Sequence, residues 1–208
     1  MSNLFAFYLT LLKSIFFIFS CLLLQGNFGI FIYLLSQLIL FGVSSTYHIT
    51  NWKNQTLEKW FRIADHIAIF LLISGTQTSV VLNLLPYSYY TRLIIYISWT
   101  ITITGALKII LMKKLGNTFD TIVYIIHGTS VVPFINILFN HLCVHDFVLF
   151  LIGGILYVCG GIVYGMKWPD INPRVLGYHE IFHILTIIAN YCFLVPVVKD
   201  YVKVIKGM

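Results

Sequence analysis

Hydropathy divides this chain into runs of about twenty apolar residues, the length an α-helix needs to cross a hydrocarbon core of roughly 30 Å. Seven runs occur, at residues 4–24, 28–47, 61–85, 93–111, 119–139, 147–164 and 177–198. Connections between them are short, as in Gln25-Gly26-Asn27 and the stretches around Pro86 and Pro169, which leaves no room for a soluble domain. Of the 208 residues, 59% are hydrophobic and 10% charged, against about 25% charged in an average soluble domain. The reading is an all-α integral membrane protein, one domain over residues 1–208, folded as a bundle of seven transmembrane helices.

The net charge of +6 does not signal nucleic acid, because the 13 Lys and Arg residues sit in short clusters between apolar runs and form no basic face. They report topology instead. Lys53, Lys59 and Arg62 flank the second connection, Lys108, Lys113 and Lys114 the fourth, and Lys167 and Arg174 the sixth, whereas the odd connections hold only Arg92. By the positive-inside rule the N-terminus and the even connections are cytoplasmic and the C-terminus is outside, in a multi-pass protein of the cytoplasmic (inner or plasma) membrane. The tail with Lys199, Lys203 and Lys206 dissents. Lys13 interrupts the first run and costs about 2.5 to 3.5 kcal/mol unless it faces protein or snorkels. A signal peptide is the rival reading of that run, but no positive charge precedes Lys13 and too little apolar chain follows it. Ile18-Phe19-Ser20-Cys21 matches a lipoprotein cleavage box only loosely. The four cysteines are scattered without a C-x-x-C pair, so neither a disulfide framework nor a thiolate metal site follows.

Ionisable groups at membrane depth are costly and by default functional. Ser44 and His48 end the second run, Asp65 and His66 begin the third, and His179 and His183 begin the seventh. The end of an even helix and the starts of two odd ones share one face of the membrane, so these three stretches lie at one level, the cytoplasmic one in this orientation. Residues at i and i+4 share a helix face. His179 and His183 can therefore hold one ion together, Ser44 lies on the face of His48, and His48 supplies a third imidazole. Three imidazoles and an open position are the ligands of a catalytic zinc, which brings the pKa of its water to about 7. Asp65 is left to hydrogen-bond that water or a ligand ring.

The run His179-Glu180-Ile181-Phe182-His183 also matches the H-E-x-x-H signature of zinc proteases, with Glu180 as general base. Such proteases commonly take a third ligand downstream, and the one acid after His183 is Asp200, at the far end of the helix. His48 is the better third ligand. Blander readings hold elsewhere. The histidine pair alone could be interfacial residues bonding neighbouring helices. His66 points away from Asp65 and reads as a supporting or headgroup-facing residue, His127 as bonding a neighbouring helix, and His141 and His145 as members of an outer loop. Gly161 and Gly165 read as helix packing, and the aromatic residues at helix ends as an interfacial belt.

The ordered set Ser44-Ser45-Thr46-Tyr47-His48, Asp65-His66, Gly75-Thr76, Gly153-Gly154, Tyr157, Tyr164-Gly165, Pro169 and His179 to His183 resembles the bacterial hemolysin III family. That family is related to the progestin and adipoQ receptors and, more distantly, to alkaline ceramidases. The resemblance runs from the second helix to the end. It implies seven helices with zinc near the cytoplasmic face on His48, His179 and His183, beside Ser44 and Asp65, in a superfamily of metal-dependent hydrolases whose best-known substrates are ceramide-type lipid amides. Two departures stand out: the Thr-His-containing segment before the first helix has no counterpart here, and a Gly-Thr-Tyr-Thr-Pro run reads Gly75-Thr76-Gln77-Thr78-Ser79. Loss of the proline predicts a straighter outer half of the third helix.

Two functions follow as expectations. In one, zinc polarises the carbonyl of a lipid amide or ester that enters between helices from the membrane, and Asp65 and Ser44 assist. In the other, zinc clips the second and seventh helices together in a non-catalytic receptor-like or membrane-perturbing protein.

Overall fold

The structure, a computed structural model, describes residues 27–112, 118–169, 171 and 177–206. The first apolar run with Lys13, and also Lys113, Lys114 and Arg174, lie outside the described residues. Every regular element among the described residues is helical: α1 (Phe28–Ile49), α2 (Gln55–Leu84), α3 (Tyr89–Met112), α4 (Thr118–Thr129), a 3₁₀ turn (Val132–Phe134), α5 (Ile135–His141), α6 (Val144–Met166) and α7 (Tyr178–Lys206). With α4 and α5 counted as the two halves of one span, Phe119–His141, six stretches among the described residues are long and apolar enough to cross a membrane.

Local chemistry sets the ends. Asn27 caps α1 by accepting the Ile30 N–H at 3.0 Å, and Asn54 caps α2 by accepting from Thr56 and Leu57 at 2.9 and 3.2 Å; each satisfies donors that a helix start leaves orphaned. The cap at Asn54 starts α2 before the expected residue 61, because a helix follows its hydrogen bonds out of the apolar run. α7 likewise continues past residue 198 to Lys206. The span read as unbroken over 119–139 is broken. Pro133 has no N–H to give and its ring blocks the carbonyl four residues back, so the chain turns through Val132–Phe134 between α4 and α5. His141 and His145, expected in a loop, instead end α5 and begin α6, since the connection there is only Leu142-Cys143.

α2 is the central helix, packed against α1, α3, α4 and α7, while α6 lies along α7 and α4. Its approach to α1 is close at Gly75, where a Cβ would stand 2.3 Å from the Ser36 hydroxyl. Gly161 and Gly165 lie against Ile125 and Thr121 of α4, the packing role their spacing suggests. Apolar clusters fill the seams, among them Tyr33, Leu40, Ala68 and Leu72 between α1 and α2, and Ile63, Phe70, Ile109 and Tyr124 between α2, α3 and α4. A polar knot pins the same three helices. The Ser74 hydroxyl lies 2.7 Å from Ser98 and 2.6 Å from Thr102, and the His127 Nε2 is 3.0 Å from Ser98. His127 thus bonds its neighbours, as expected.

Candidate metal centre

One end of the bundle gathers the residues that helix parity places at one depth. The last two turns of α1 present Ser44 and His48, the third turn of α2 presents Asp65, and the first turns of α7 present His179 and His183. Their rings touch in series. The centroids of His48 and His179 are 4.2 Å apart, and those of His179 and His183 are 4.5 Å apart at an interplanar angle of 88°. Asp65 Oδ2 lies 3.9 Å from His48 Nε2, an ion-pair distance longer than a hydrogen bond. Ser44 Oγ lies 3.3 Å from His183 Nε2 and also hydrogen-bonds Asp65. Asp65 and His183 are buried at 7% and 3% exposure, so their polar contacts are made inside the protein.

Donor and acceptor roles can be assigned along this chain of contacts. With Asp65 ionised, its carboxylate only accepts; the Ser44 O–H then donates to Asp65 and the Ser44 oxygen accepts from His183 Nε2–H. That leaves the His183 Nδ1 lone pair, which is buried and has no partner. A bare imidazole nitrogen beside two further imidazoles and a carboxylate is a donor set suited to zinc, so the residues present fit the ion. As the rings lie, no three His, Cys, Asp or Glu side chains among the described residues stand at coordinating separations. Imidazoles sharing one tetrahedral ion have centroids about 5 Å apart, so the His48–His179 and His179–His183 pairs, at 4.2 and 4.5 Å, have to open by somewhat less than an ångström to share it.

The remaining histidines and Glu180 are placed differently. His66 is buried at 5% exposure and is not headgroup-facing; its Nδ1–H donates to the Arg62 carbonyl at 2.8 Å. In the neutral ring that fixes Nε2 as acceptor, 3.4 Å from the Tyr164 hydroxyl. Glu180 Oε2 accepts the Gly177 N–H at 3.0 Å and so closes the N-terminus of its own helix.

Sequence reasoning gave no role to Tyr164, yet it joins the centre to the interior. Its ring packs on His179 and Phe182, with centroids 6.4 and 5.2 Å away. Tyr164 and Phe182 also line a cavity of about 410 Å³ whose other walls, including Leu72, Val80, Leu138 and Phe150, are largely apolar. The sequence carried one signal for this role, since Tyr157 and Tyr164 are seven residues, two helical turns, apart and both line the cavity.

A multi-pass helical membrane protein with three histidines and an acid gathered at one end of the bundle, beside an apolar cavity, is the class that fold and site define. The chain belongs to the Haemolysin-III related family, which matches it over residues 1–194. Relatives include Hemolysin-3 of Bacillus cereus, 33% identical over 75% of this chain and 67% of the relative. A Hemolysin-3 homolog of Bacillus subtilis (strain 168) is 29% identical over 77% of this chain and 76% of its own. An ADIPOR-like receptor of Saccharomyces cerevisiae is 24% identical, covering 76% of this chain and 55% of its own.

Proposed function

We propose that this protein is a zinc-dependent hydrolase of a lipid amide or ester. It is read as a seven-helix protein of the cytoplasmic membrane with its N-terminus inside, its C-terminus outside and the metal centre near the cytoplasmic face. The observation that carries the reading is the gathering of His48, His179, His183, Asp65 and Ser44 where an apolar cavity ends. His48, His179 and His183 would hold the ion. Zinc, when bound, supplies a Lewis acid and an acidified water.

The residues divide the remaining work. Asp65 Oδ2 stands beside the cluster with its other contact to Ser44, so it is the group placed to take a proton from the attacking water and return it to the leaving amine or alcohol. Ser44 holds Asp65 and His183 in register through its single hydroxyl. Tyr164 and Phe182 close the apolar cavity against the centre, keeping an acyl chain on one side and the polar chemistry on the other.

The test uses purified, zinc-loaded protein and a panel of lipid amides and esters. Asp65→Asn is expected to retain zinc and lose about 10² to 10⁴ of the hydrolysis rate. Failure of the wild type to bind zinc, or undiminished binding by His48→Ala, would overturn the three-histidine assignment. A second reading is favoured by one observation: Ser44 to His183, His48 to His179 and the Tyr33 hydroxyl to the Asn190 carbonyl at 2.8 Å all tie α1 to α7. Zinc there would clip two helices in a receptor-like or membrane-perturbing protein. Absence of turnover on every lipid, with a melting temperature that falls when zinc is removed, would favour the clip.

A further inference from the structure

Thr186 departs from what several helical threonines of this chain do. Thr46, Thr76, Thr104 and Thr129 each donate to the carbonyl four residues back, at 2.8 Å in every case. That local bond is the usual way a helix satisfies a hydroxyl away from water. Thr186, 1% exposed in the middle of α7, leaves its Oγ1 buried and unpartnered, and its side chain lines the cavity. One turn further, Asn190 Oδ1 accepts the Tyr33 and Tyr157 hydroxyls at 2.9 and 2.7 Å, while its Nδ2 is buried without a partner.

His179, His183, Thr186 and Asn190 fall at i, i+4, i+7 and i+11, one face of one helix. The histidine face of α7 therefore continues inward as two unsatisfied hydrogen-bonding groups. Unpaired polar groups are rare in native interiors and costly where no bulk water reaches. Of the two, Thr186 lines the cavity, where a ligand hydroxyl can accept from its Oγ1 or donate to it.

We propose that the cavity takes an acyl chain bearing a hydroxyl a few carbons from its carbonyl, and that Thr186 recognises that hydroxyl. The proposal rests on the hydrolase reading for one step, the placing of the carbonyl at the histidines. Thr186 lies three residues past His183, about 4.5 Å along the axis. An extended chain advances about 1.2 Å per bond, so the hydroxyl falls three to four bonds beyond the carbonyl carbon. A 3-hydroxyacyl chain meets that spacing.

Direct binding of hexadecanoic and 3-hydroxyhexadecanoic acid to the zinc-loaded, detergent-solubilised protein tests this, read by native mass spectrometry or calorimetry. The wild type is expected to prefer the hydroxylated acid by about five- to tenfold, the worth of one or two net hydrogen bonds. Thr186→Val should abolish the preference without weakening hexadecanoate binding, and Thr186→Ser should keep it. Equal affinities in the wild type would overturn the proposal and leave the hydrolase reading standing. A preference that survives Thr186→Val would overturn the assignment to Thr186. If neither acid binds, the proposal falls together with the reading of the cavity as a lipid site.

Discussion

Gly75 shows how narrow the tolerance is where α1 meets α2. An added Cβ would meet Ser36 Oγ at 2.3 Å and Ser36 Cβ at 2.8 Å, with the Ile32 carbonyl at 3.3 Å behind them. Ser36 is already committed, donating to the Tyr33 carbonyl at 2.7 Å, so it cannot turn aside without giving up that bond. Gly75→Ala is expected to destabilise the protein by about 1 to 3 kcal/mol, the usual cost of overpacking, seen as a lower melting temperature in detergent. Adding Ser36→Gly should recover part of the loss, and a single variant that melts like wild type would show that the helices yield. The same scale shows what the residue pattern could and could not tell. The i, i+4 spacing of His179 and His183 and the parity that levels them with His48 and Asp65 need only helix geometry, and these side chains do lie together. The cap formed by Glu180, the burial of His66 and the contact of Tyr164 with His179 depend on how each helix is rotated about its own axis. Apolar runs with polar residues on several faces leave that rotation open.

Two lysine–aspartate pairs tie neighbouring helices, and their burial separates them. Lys108 of α3 pairs with Asp120 of α4, with side chains 22% and 4% exposed, whereas Lys199 of α7 pairs with Asp146 of α6 at 3.0 Å, with the lysine 41% exposed. Water and salt screen the second pair. Removing Lys108 takes the compensating charge from a carboxylate in a place with little water. Lys108→Met should therefore cost about 3 kcal/mol, and Asp146→Asn less than about 1 kcal/mol, with a salt dependence. Thermal unfolding of both variants at two salt concentrations checks the contrast. A double variant, Lys108→Met with Asp120→Leu, should return most of the stability, since a well-packed apolar pair often equals a buried ionic one. Equal losses for the two single variants would contradict this ranking. Lys108 also illustrates a limit of reading elements from charge: counting it as a cytoplasmic marker ignored that a lysine inside a helix end can be bound by the next helix. Hydropathy placed all six described spans, but not the break at Pro133 or the extra turns of α2 and α7. Those ends are governed by backbone hydrogen bonds and caps, to which an apolar count is blind.

At the scale of the whole molecule, the two ends of the bundle differ in kind, and the native cysteines offer a way to orient them. The histidine cluster stands at the end where α1 finishes and α7 begins. Cys143, exposed at the N-terminus of α6, stands at the opposite end, because α6 runs from Cys143 to the neighbourhood of Tyr164 beside His179. The proposed orientation puts Cys143 outside and the connection after His48 inside. In a variant whose other cysteines are replaced by alanine, a membrane-impermeant maleimide should label Cys143 in intact cells. Moving the single cysteine to Lys53→Cys should make labelling depend on permeabilisation. The opposite pattern would place the histidines at the outer face and reverse the inference from the basic residues. The stakes are mechanistic. Under the hydrolase reading, an inner site would draw its water from the cytoplasm and release a polar product there. An outer site would act on lipids and water the cytoplasm never meets. Which side the single cysteine reports therefore decides which pool of lipid the centre can reach, before any substrate is known.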